Sequence, residues 1–210
     1  MAPQIKLYYS PNACSMAPQL LLEDAGLAYE AIKVSYDPQE RADFVKNVNP
    51  KGQVPALVID GVVVTEAPAI ITAISHLVPE KNYIGKTPMD NVRFYEWLNY
   101  LSGNIHGKAF GGLFAPSKYS TDAAAEAGIR EKAKESVLAG FKVVEDKLAA
   151  LGGPQYALGD SLTGVDAYLT TFIIWAQKFQ LDLSPFPNYT KLYEGISQTP
   201  AWKSVVAKQA

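Results

Sequence analysis

The sequence is poor in cysteine and histidine. Cys14 is the single cysteine among 210 residues, and the two histidines are His76 and His106. One cysteine cannot form a disulfide within the chain, and a secreted protein rarely carries one unpaired thiol, so we expect a reducing compartment, the cytoplasm. The same counts exclude a zinc site built from several cysteines and argue against metal catalysis.

Long apolar runs and an excess of positive charge are also absent. No stretch approaches the roughly 18 uninterrupted apolar residues of a membrane span, and residues 1–15 lack the basic and apolar segments of an export signal. The chain has 19 lysines and arginines against 21 acidic residues, a formal net charge of −2. Because no net positive field is available, neither nucleic acid nor an anionic membrane is expected as a partner.

The composition is that of a folded globular protein, with 48% apolar and 19% charged residues. Its length fits one large domain or two compact ones, and two domains is the working hypothesis. Up to about residue 77 the patterns follow the order β-α-β-α-β-β-α, typical of a thioredoxin-like α/β unit and without the G-x-G-x-x-G of a dinucleotide site. The predicted strands are Ile5–Tyr9, Tyr29–Val34, Ala56–Ile59 and Val62–Thr65, the last two joined by an Asp60-Gly61 turn, and the predicted helices are Met16–Ala25, Arg41–Val48 and one opened by Glu66-Ala67-Pro68.

The segment VPEKNYIGKTPMD, residues 78–90, lacks apolar periodicity and is interpreted as an interdomain linker. Beyond it the pattern is almost entirely helical, which predicts an all-α second domain. Thr163 and Asp166 have the spacing of an N-cap pair at the start of the third long helix. The predicted helices are Met89–Phe114, Ala123–Ala150, Val165–Gln180, Asn188–Ser197 and Ala201–Lys208.

The first candidate site is Cys14, which ends the turn after the first strand and opens the first helix. A thiol at a helix N-terminus lies near unpaired N–H groups and the positive end of the helix dipole, which favour the thiolate. Cys14 is therefore a candidate nucleophile or sulfur partner, and Ser15 offers a hydrogen bond from its hydroxyl or amide to a sulfur anion. The alternative is a buried, inert cysteine.

The second candidate site is the loop Gly52-Gln53-Val54-Pro55. In this fold context the proline suggests a cis Val54–Pro55 bond in a tight turn. Such a turn leaves the Val54 N–H and C=O available to pair with an extended peptide. The alternative is a loop that merely ends the preceding helix.

The third candidate site is Thr65-Glu66-Ala67-Pro68 at the start of a helix. The free amides of a first turn bind a carboxylate, and Glu66 can pair with an ammonium, so the two together suit an amino acid zwitterion. The alternative is that Glu66 only complements the helix dipole at the surface.

The fourth candidate site lies in the second domain. Asn99 and His106 are seven residues apart, close to two helical turns, and are predicted to share one helix face that points into a cleft. His106 is a candidate hydrogen-bond donor to sulfur or a proton carrier, because imidazole titrates near neutral pH. The alternative is a packed or surface histidine.

Together these motifs resemble the bacterial-type beta class of glutathione transferases. The similarity is carried by C-S at the first helix, N-P-K-G-Q-V-P-A-L, T-E-A, E-W-L-N-Y with a histidine seven residues after the asparagine, and S-L-T-G-V-D-A-Y-L. It covers nearly the whole chain. The resemblance implies a thioredoxin-like glutathione-binding domain over residues 1–80, an all-helical domain over 90–210, a homodimer, and glutathione bound as cosubstrate across the domain cleft.

The resemblance also implies roles for individual residues. Cys14 would face the glutathione sulfur, with Ser15 beside it and His106 reaching in from the helical domain. Val54 would pair with the cysteinyl backbone, while Glu66 and Ala67 would hold the γ-glutamyl end. The residues expected to bind glutathione are Tyr9, Gln53, Val54, Pro55, Glu66, Ala67, Asn99, Gly103 and Asn104.

Two positions depart from the family pattern. Where relatives often have a lysine that meets a glutathione carboxylate, this chain has Gln39, with Arg41 two residues on as a possible substitute. Where many relatives have a serine after the glutamate, Ala67 offers only its backbone N–H. A lower affinity for glutathione is expected as a result.

The leading hypothesis is conjugation of glutathione thiolate to small apolar electrophiles. The electrophile pocket is predicted at Phe110, Phe114 and Trp175, for which plain core packing is the alternative. A second hypothesis is glutathione-dependent thiol–disulfide exchange through Cys14, with free glutathione resolving the mixed disulfide. A third is a non-enzymatic carrier of apolar ligands or a dimeric interaction module.

Overall fold

The amino-terminal part of the chain is a mixed four-stranded sheet flanked by three helices. The computed structural model describes residues 2–153 and 155–209. The strands are β1 (Ile5–Tyr9), β2 (Glu30–Lys33), β3 (Ala56–Ile59) and β4 (Val62–Thr65), in the order β2-β1-β3-β4. β1 is parallel to β2 and antiparallel to β3, which forms the predicted hairpin with β4. The predicted α/β thioredoxin-like fold is confirmed for this part.

The three helices of this part are α1 (Met16–Ala25), α2 (Pro38–Asn47) and α3 (Ala67–Leu77). α2 begins earlier than the predicted Arg41–Val48. The reason is local: the Asp37 carboxylate accepts hydrogen bonds from the N–H groups of Gln39 and Glu40, and Pro38 suits the first helical position. The Asp60-Gly61 turn of the hairpin has positive φ at both residues, as such a turn requires.

The rest of the chain is helical, as predicted. Its elements are α4 (Pro88–Tyr100), a π-helical segment (Leu101–Phe110), α5 (Gly111–Phe114), α6 (Glu126–Ala150), α7 (Gly164–Lys178), α8 (Pro187–Ser197) and α9 (Pro200–Ala207). The predicted helix Met89–Phe114 is thus one helical run whose middle changes from i→i+4 to wider i→i+5 hydrogen bonding. Short 3₁₀ turns at Pro79–Lys81, Pro116–Lys118 and Ala123–Ala125 complete the helical elements of the described residues.

One apolar core runs through both parts. It joins Leu7 and Leu57 of the sheet to Phe94 of α4 and to Phe172 of α7, all fully buried. The predicted linker 78–90 belongs to this packing, since the ring of Tyr83 is fully buried and its hydroxyl donates to an Asp24 carboxylate oxygen at 2.7 Å. Lack of periodicity in that segment therefore marked an irregular backbone and not a loose connection.

The predicted N-cap pair of α7 is confirmed. The Asp166 carboxylate is fully buried and accepts three hydrogen bonds, from the Thr163 N–H at 2.8 Å, the Thr163 hydroxyl at 2.7 Å and the Ala157 N–H at 2.6 Å. It therefore holds both the start of α7 and the irregular segment before it.

We expect Asp166→Ala to lower the free energy of unfolding by about 2–4 kcal/mol, because it leaves three buried donors without an acceptor. The measurement is equilibrium denaturant unfolding. The control is Asp122→Ala, whose carboxylate caps an exposed turn through the Ala124 N–H and whose loss should cost about 1 kcal/mol or less. Equal losses in the two variants would contradict this account.

Candidate functional site

Cys14 lies where two cavities meet. The larger cavity has a volume of about 490 Å³ and the smaller one about 50 Å³. Cys14, Gln53 and Val54 line both. The larger cavity is completed by Pro11, Asn12, Ala13, Tyr36, Arg41, Gly52, His106, Phe114, Trp175 and Lys178, and the smaller by Asn49, Pro55, Glu66 and Ala67.

Burial favours the neutral thiol of Cys14 over the thiolate. Burial raises the pKa of the thiol to about 12, against the lowering effect of the Cys14 and Ser15 backbone N–H groups, and the negative charge of Glu66 raises it further. The sulfur donates to the Val54 carbonyl oxygen at 3.3 Å. The helix N-terminus favours the thiolate, as expected, but the cost of removing the charge from water is larger.

The loop that carries Val54 is held in place by the buried side chain of Asn49. The Val54–Pro55 bond is cis, as predicted. The Asn49 side chain, 1% exposed, donates from Nδ2 to the Gln53 carbonyl at 2.6 Å. The Val54 carbonyl therefore has a defined position opposite Cys14.

Glu66 is the residue before α3, and it pairs with Lys51, a partner that the sequence analysis did not predict. Its φ of 70° lies in the left-handed region, which turns the chain from β4 into the helix. The Glu66 carboxylate pairs with the Lys51 ammonium, which also donates to the Thr65 hydroxyl at 3.0 Å. The Glu66 side chain makes no capping bond to α3 and is 65% exposed. The Glu66 carboxylate therefore does not cap α3, and Ala67 at the start of that helix lines the smaller cavity.

His106 reaches the larger cavity from the π-helical segment. Its Nδ1 lies 2.6 Å from the hydroxyl of Tyr168 on α7, and burial lowers the pKa of the imidazole to about 4. Burial also raises the pKa of Tyr168 well above its ordinary value. At neutral pH both groups are uncharged, so His106 acts on a bound group as a neutral hydrogen-bonding ring.

The structure does not bring Asn99 to the face of His106. Asn99, Gly103 and Asn104 are exposed and line neither cavity. The predicted shared face assumed regular α-helical rotation, whereas the wider π-helical turns from Leu101 to Phe110 rotate less per residue. A seven-residue spacing across this junction therefore no longer keeps two side chains on one face.

Four other candidates also line neither cavity. The Tyr9 hydroxyl donates to the Lys208 carbonyl at 3.1 Å, and the Ser15 hydroxyl donates to the Ser10 carbonyl at 3.3 Å, so Ser15 offers the site its amide and not its hydroxyl. Gln39 is exposed near the start of α2. Phe110 is fully buried behind the cavity wall, with its ring centroid 5.1 Å from that of Trp175.

The loop before Cys14 is held by two hydrogen bonds to the backbone of Asn12 that the sequence did not predict. Asn12 has φ of 56°, its N–H donates to the Gln209 side-chain oxygen at 2.9 Å, and its carbonyl accepts from the Trp175 indole at 2.8 Å. Both backbone groups are thus held by residues of the helical part. Tyr36, Lys51, Tyr168 and Lys178 are other site residues that the sequence analysis missed; the partners of the last three, Glu66, His106 and Phe114, are 15 or more positions away in the chain.

Comparison with known proteins decides the family. The sequence profile of the glutathione S-transferase N-terminal domain matches residues 3–75, and that of the glutathione S-transferase C-terminal domain matches residues 105–200. The chain belongs to the glutathione S-transferase family. Glutathione S-transferase GstA of Escherichia coli O157:H7 is 31% identical over 203 residues, which cover 93% of this chain and 94% of that protein.

Two further comparisons bear on this glutathione S-transferase. A sphingomonad glutathione S-transferase solved in complex with glutathione is 32% identical, with a TM-score of 0.82 and coverage of 97% of this chain and 98% of that one. A probable maleylacetoacetate isomerase of Caenorhabditis elegans is 28% identical over 213 residues, 92% of this chain and 88% of that protein. The chain is therefore an enzyme, and its relatives carry more than one activity.

Two observations on the described residues complete the description of this glutathione S-transferase. None of the helices within 2–153 and 155–209 is long and apolar enough to cross a membrane. Over the same residues, no group of three or more histidine, cysteine or acidic side chains is arranged to hold a metal ion.

We expect native Cys14 to react slowly with iodoacetamide at neutral pH, because the attacking species is the thiolate. Below its pKa the thiolate fraction rises about tenfold per pH unit, so the rate should climb from pH 7 to about 10 without a plateau. Mass spectrometry of the intact protein follows the reaction. The denaturant-unfolded chain is the control and should level off above a pH of about 8.5. A plateau near pH 7 in the native protein would rule out the buried neutral thiol.

Proposed function

We propose that this glutathione S-transferase is a beta-class enzyme that joins the thiolate of glutathione to small apolar electrophiles. The observation that carries the proposal is the position of Cys14 at the meeting point of two unlike cavities. The smaller cavity is lined by Glu66 and by Ala67 at the start of α3, and the larger one has aromatic walls. The γ-glutamyl end of a tripeptide with a central sulfur suits the first, and its glycyl end together with an apolar reaction partner suits the second.

The smaller cavity suits the γ-glutamyl end of glutathione. The start of α3 is proposed to bind its carboxylate, and the exposed Glu66 carboxylate, which also pairs with Lys51, to bind its ammonium. The backbone of Val54 is opposite the position of the cysteinyl residue, and Gln53 and Pro55 line the same wall. Arg41 lines the larger cavity on the far side of Cys14 and is proposed to take the glycyl carboxylate in place of the family lysine.

Neutral donors surround the proposed sulfur position. The Cys14 thiol can turn from the Val54 carbonyl to a glutathione thiolate, and the Ser15 N–H points to the same place. If the Tyr168 hydroxyl donates to His106 Nδ1, the other ring nitrogen carries a hydrogen and donates as well. Lowering a thiol pKa from about 8.5 toward 7 raises the thiolate fraction at neutral pH roughly tenfold.

The reaction we propose is attack of the glutathione thiolate on an electrophilic carbon. A carbon–sulfur bond forms, and a leaving group departs with its electron pair or, in an addition, a proton is taken from water. The rings of Phe114 and Trp175, with centroids 5.0 Å apart, form the apolar wall for the electrophile, and Phe110 supports them. Thiol exchange through Cys14 is disfavoured because it needs the thiolate of the cysteine itself.

We further propose that the enzyme acts as a homodimer in the cytoplasm. The lone thiol supports a reducing compartment. A second copy is supported by an exposed apolar stripe on α4, where Met89, Val92 and Tyr95 are 60%, 56% and 40% exposed. Asn99 lies further along the same helix and would be close to such an interface.

Cys14→Ala separates conjugation from thiol exchange. We expect conjugation of an aryl halide to fall by roughly tenfold and not to vanish, because the variant loses one hydrogen-bond donor and the nucleophile is glutathione's own sulfur. Reaction of purified enzyme with the halide and glutathione is followed by absorbance. Complete loss of conjugation would contradict a role as one donor among several. Intact conjugation with loss of disulfide reduction, or a glutathionyl group on wild-type Cys14 that reductant removes, would favour thiol exchange. Failure of the wild type to bind glutathione or to conjugate any of several electrophiles would favour the carrier hypothesis.

Glu66→Gln tests the position of the ligand ammonium. We expect the dissociation constant for glutathione, measured by titration calorimetry, to rise roughly three- to tenfold because a charge-assisted bond becomes a neutral one. Glu194→Gln, an exposed carboxylate on α8, is the control and should leave the constant unchanged. An unchanged constant in Glu66→Gln would place the ammonium elsewhere.

A further inference from the structure

The charged side chains that line the larger cavity are all positive. Among the thirteen residues that line it, the charged ones are Arg41 and Lys178, and none is acidic. Within the described part of the chain neither residue takes part in an ion pair, although eleven of the other basic side chains do. In a protein with a formal net charge of −2, two unneutralised cations in one cavity form a local positive field.

Arg41 and Lys178 come from different parts of the fold. Arg41 is on α2, its guanidinium carbon is 5.4 Å from the ring centroid of Tyr36, and its Nε is buried without a hydrogen-bond partner. Lys178 ends α7, one turn after Trp175, and its ammonium is 5.5 Å from the ring centroid of Phe114. Lys178 thus stands beside the aromatic wall, and Arg41 stands beside the glutathione-binding loop.

Of the two cationic side chains, Arg41 and Lys178, only Arg41 is needed to pair with a carboxylate of glutathione in the proposed binding mode. Of its two carboxylates, the γ-glutamyl one is assigned to the amides of α3, and the glycyl one is left for Arg41. Lys178 then remains as a cation next to the surface that receives the second substrate. An ammonium in that position can form a charge-assisted hydrogen bond with an anion, whereas an apolar uncharged molecule has no group to accept one.

We propose that the preferred second substrate is an apolar electrophile that carries a carboxylate, which Lys178 binds while Phe114 and Trp175 contact its apolar body. The inference rests on the proposed function and narrows its substrate class. The sulfur chemistry is unchanged: for an aryl chloride, the thiolate forms the carbon–sulfur bond and chloride leaves with the electron pair of the broken bond.

The test compares two electrophiles of the same shape and different charge, 4-chloro-3,5-dinitrobenzoate and 4-chloro-3,5-dinitrobenzamide. Each kcat/KM is divided by the uncatalysed rate constant with glutathione, and the ratio of carboxylate to amide is the readout. We expect the wild-type ratio to exceed one and to fall roughly three- to fivefold in Lys178→Met, more in Lys178→Glu. The wild-type ratio should also fall as salt is raised, while that of Lys178→Met stays flat.

Lys203→Met, which removes an exposed lysine of α9 away from both cavities, is the matched control and should keep the wild-type ratio. A ratio that is unchanged in Lys178→Met overturns the inference, even if thermal unfolding shows that the lysine stabilises the end of α7. A rise in the KM for glutathione that is equal with both electrophiles overturns it as well, because it assigns Lys178 to the tripeptide. If wild-type enzyme conjugates neither compound nor any uncharged electrophile, the proposed function itself fails.

Discussion

The site depends on two hydrogen bonds by which side chains of the helical part hold the backbone of Asn12 in the α/β part. Asn12 has a left-handed backbone, and its N–H and carbonyl are both held by side chains that follow in the chain by more than 160 positions. These two bonds fix the turn between β1 and α1, and the turn fixes Cys14. The two halves of the molecule are therefore coupled at the very loop where the proposed sulfur position lies. A change in how α7 packs would therefore alter the position of the loop before Cys14 through Trp175.

Burial has a second consequence at this site, because it keeps Cys14 and His106, two of the proposed donors to the sulfur, uncharged. Cys14 keeps its proton, and His106 stays neutral, for the same reason: each would have to carry a charge in surroundings with little water. A site made of neutral donors does not neutralise the thiolate of a ligand, and it stabilises the thiolate only by hydrogen bonds. Such a thiolate keeps more of its nucleophilicity than one paired with a cation. This is a useful property for an enzyme whose proposed task is to present sulfur to carbon.

The sequence predicted what local pattern controls. The strands, most helix limits, the α7 capping pair, the cis Val54–Pro55 bond and the neighbourhood of Cys14, Val54 and Glu66 follow from short motifs and apolar periodicity. Other features depend on partners far away in the chain, such as Gln209 for Asn12, Lys51 for Glu66 and Asp24 for Tyr83. The π-helical segment was missed because its apolar spacing resembles that of an α-helix. For the same reason the prediction that Asn99 and His106 share one helix face was wrong. The sequence left Cys14 open between a favoured thiolate and a buried, inert thiol, because burial is a property of the folded chain.

Trp175 shows how substrate range and site integrity are connected in this enzyme. Its ring forms part of the wall of the larger cavity, while its indole N–H holds the Asn12 carbonyl. A substitution there would reshape the cavity and release the Cys14 loop at the same time. Phe114 and Lys178 line the same cavity, and among the described residues neither holds that loop by a hydrogen bond as Trp175 does; Phe114 is 42% exposed and Lys178 is exposed. Changes in the preferred electrophile are therefore least costly at Phe114 and Lys178, and most costly at Trp175.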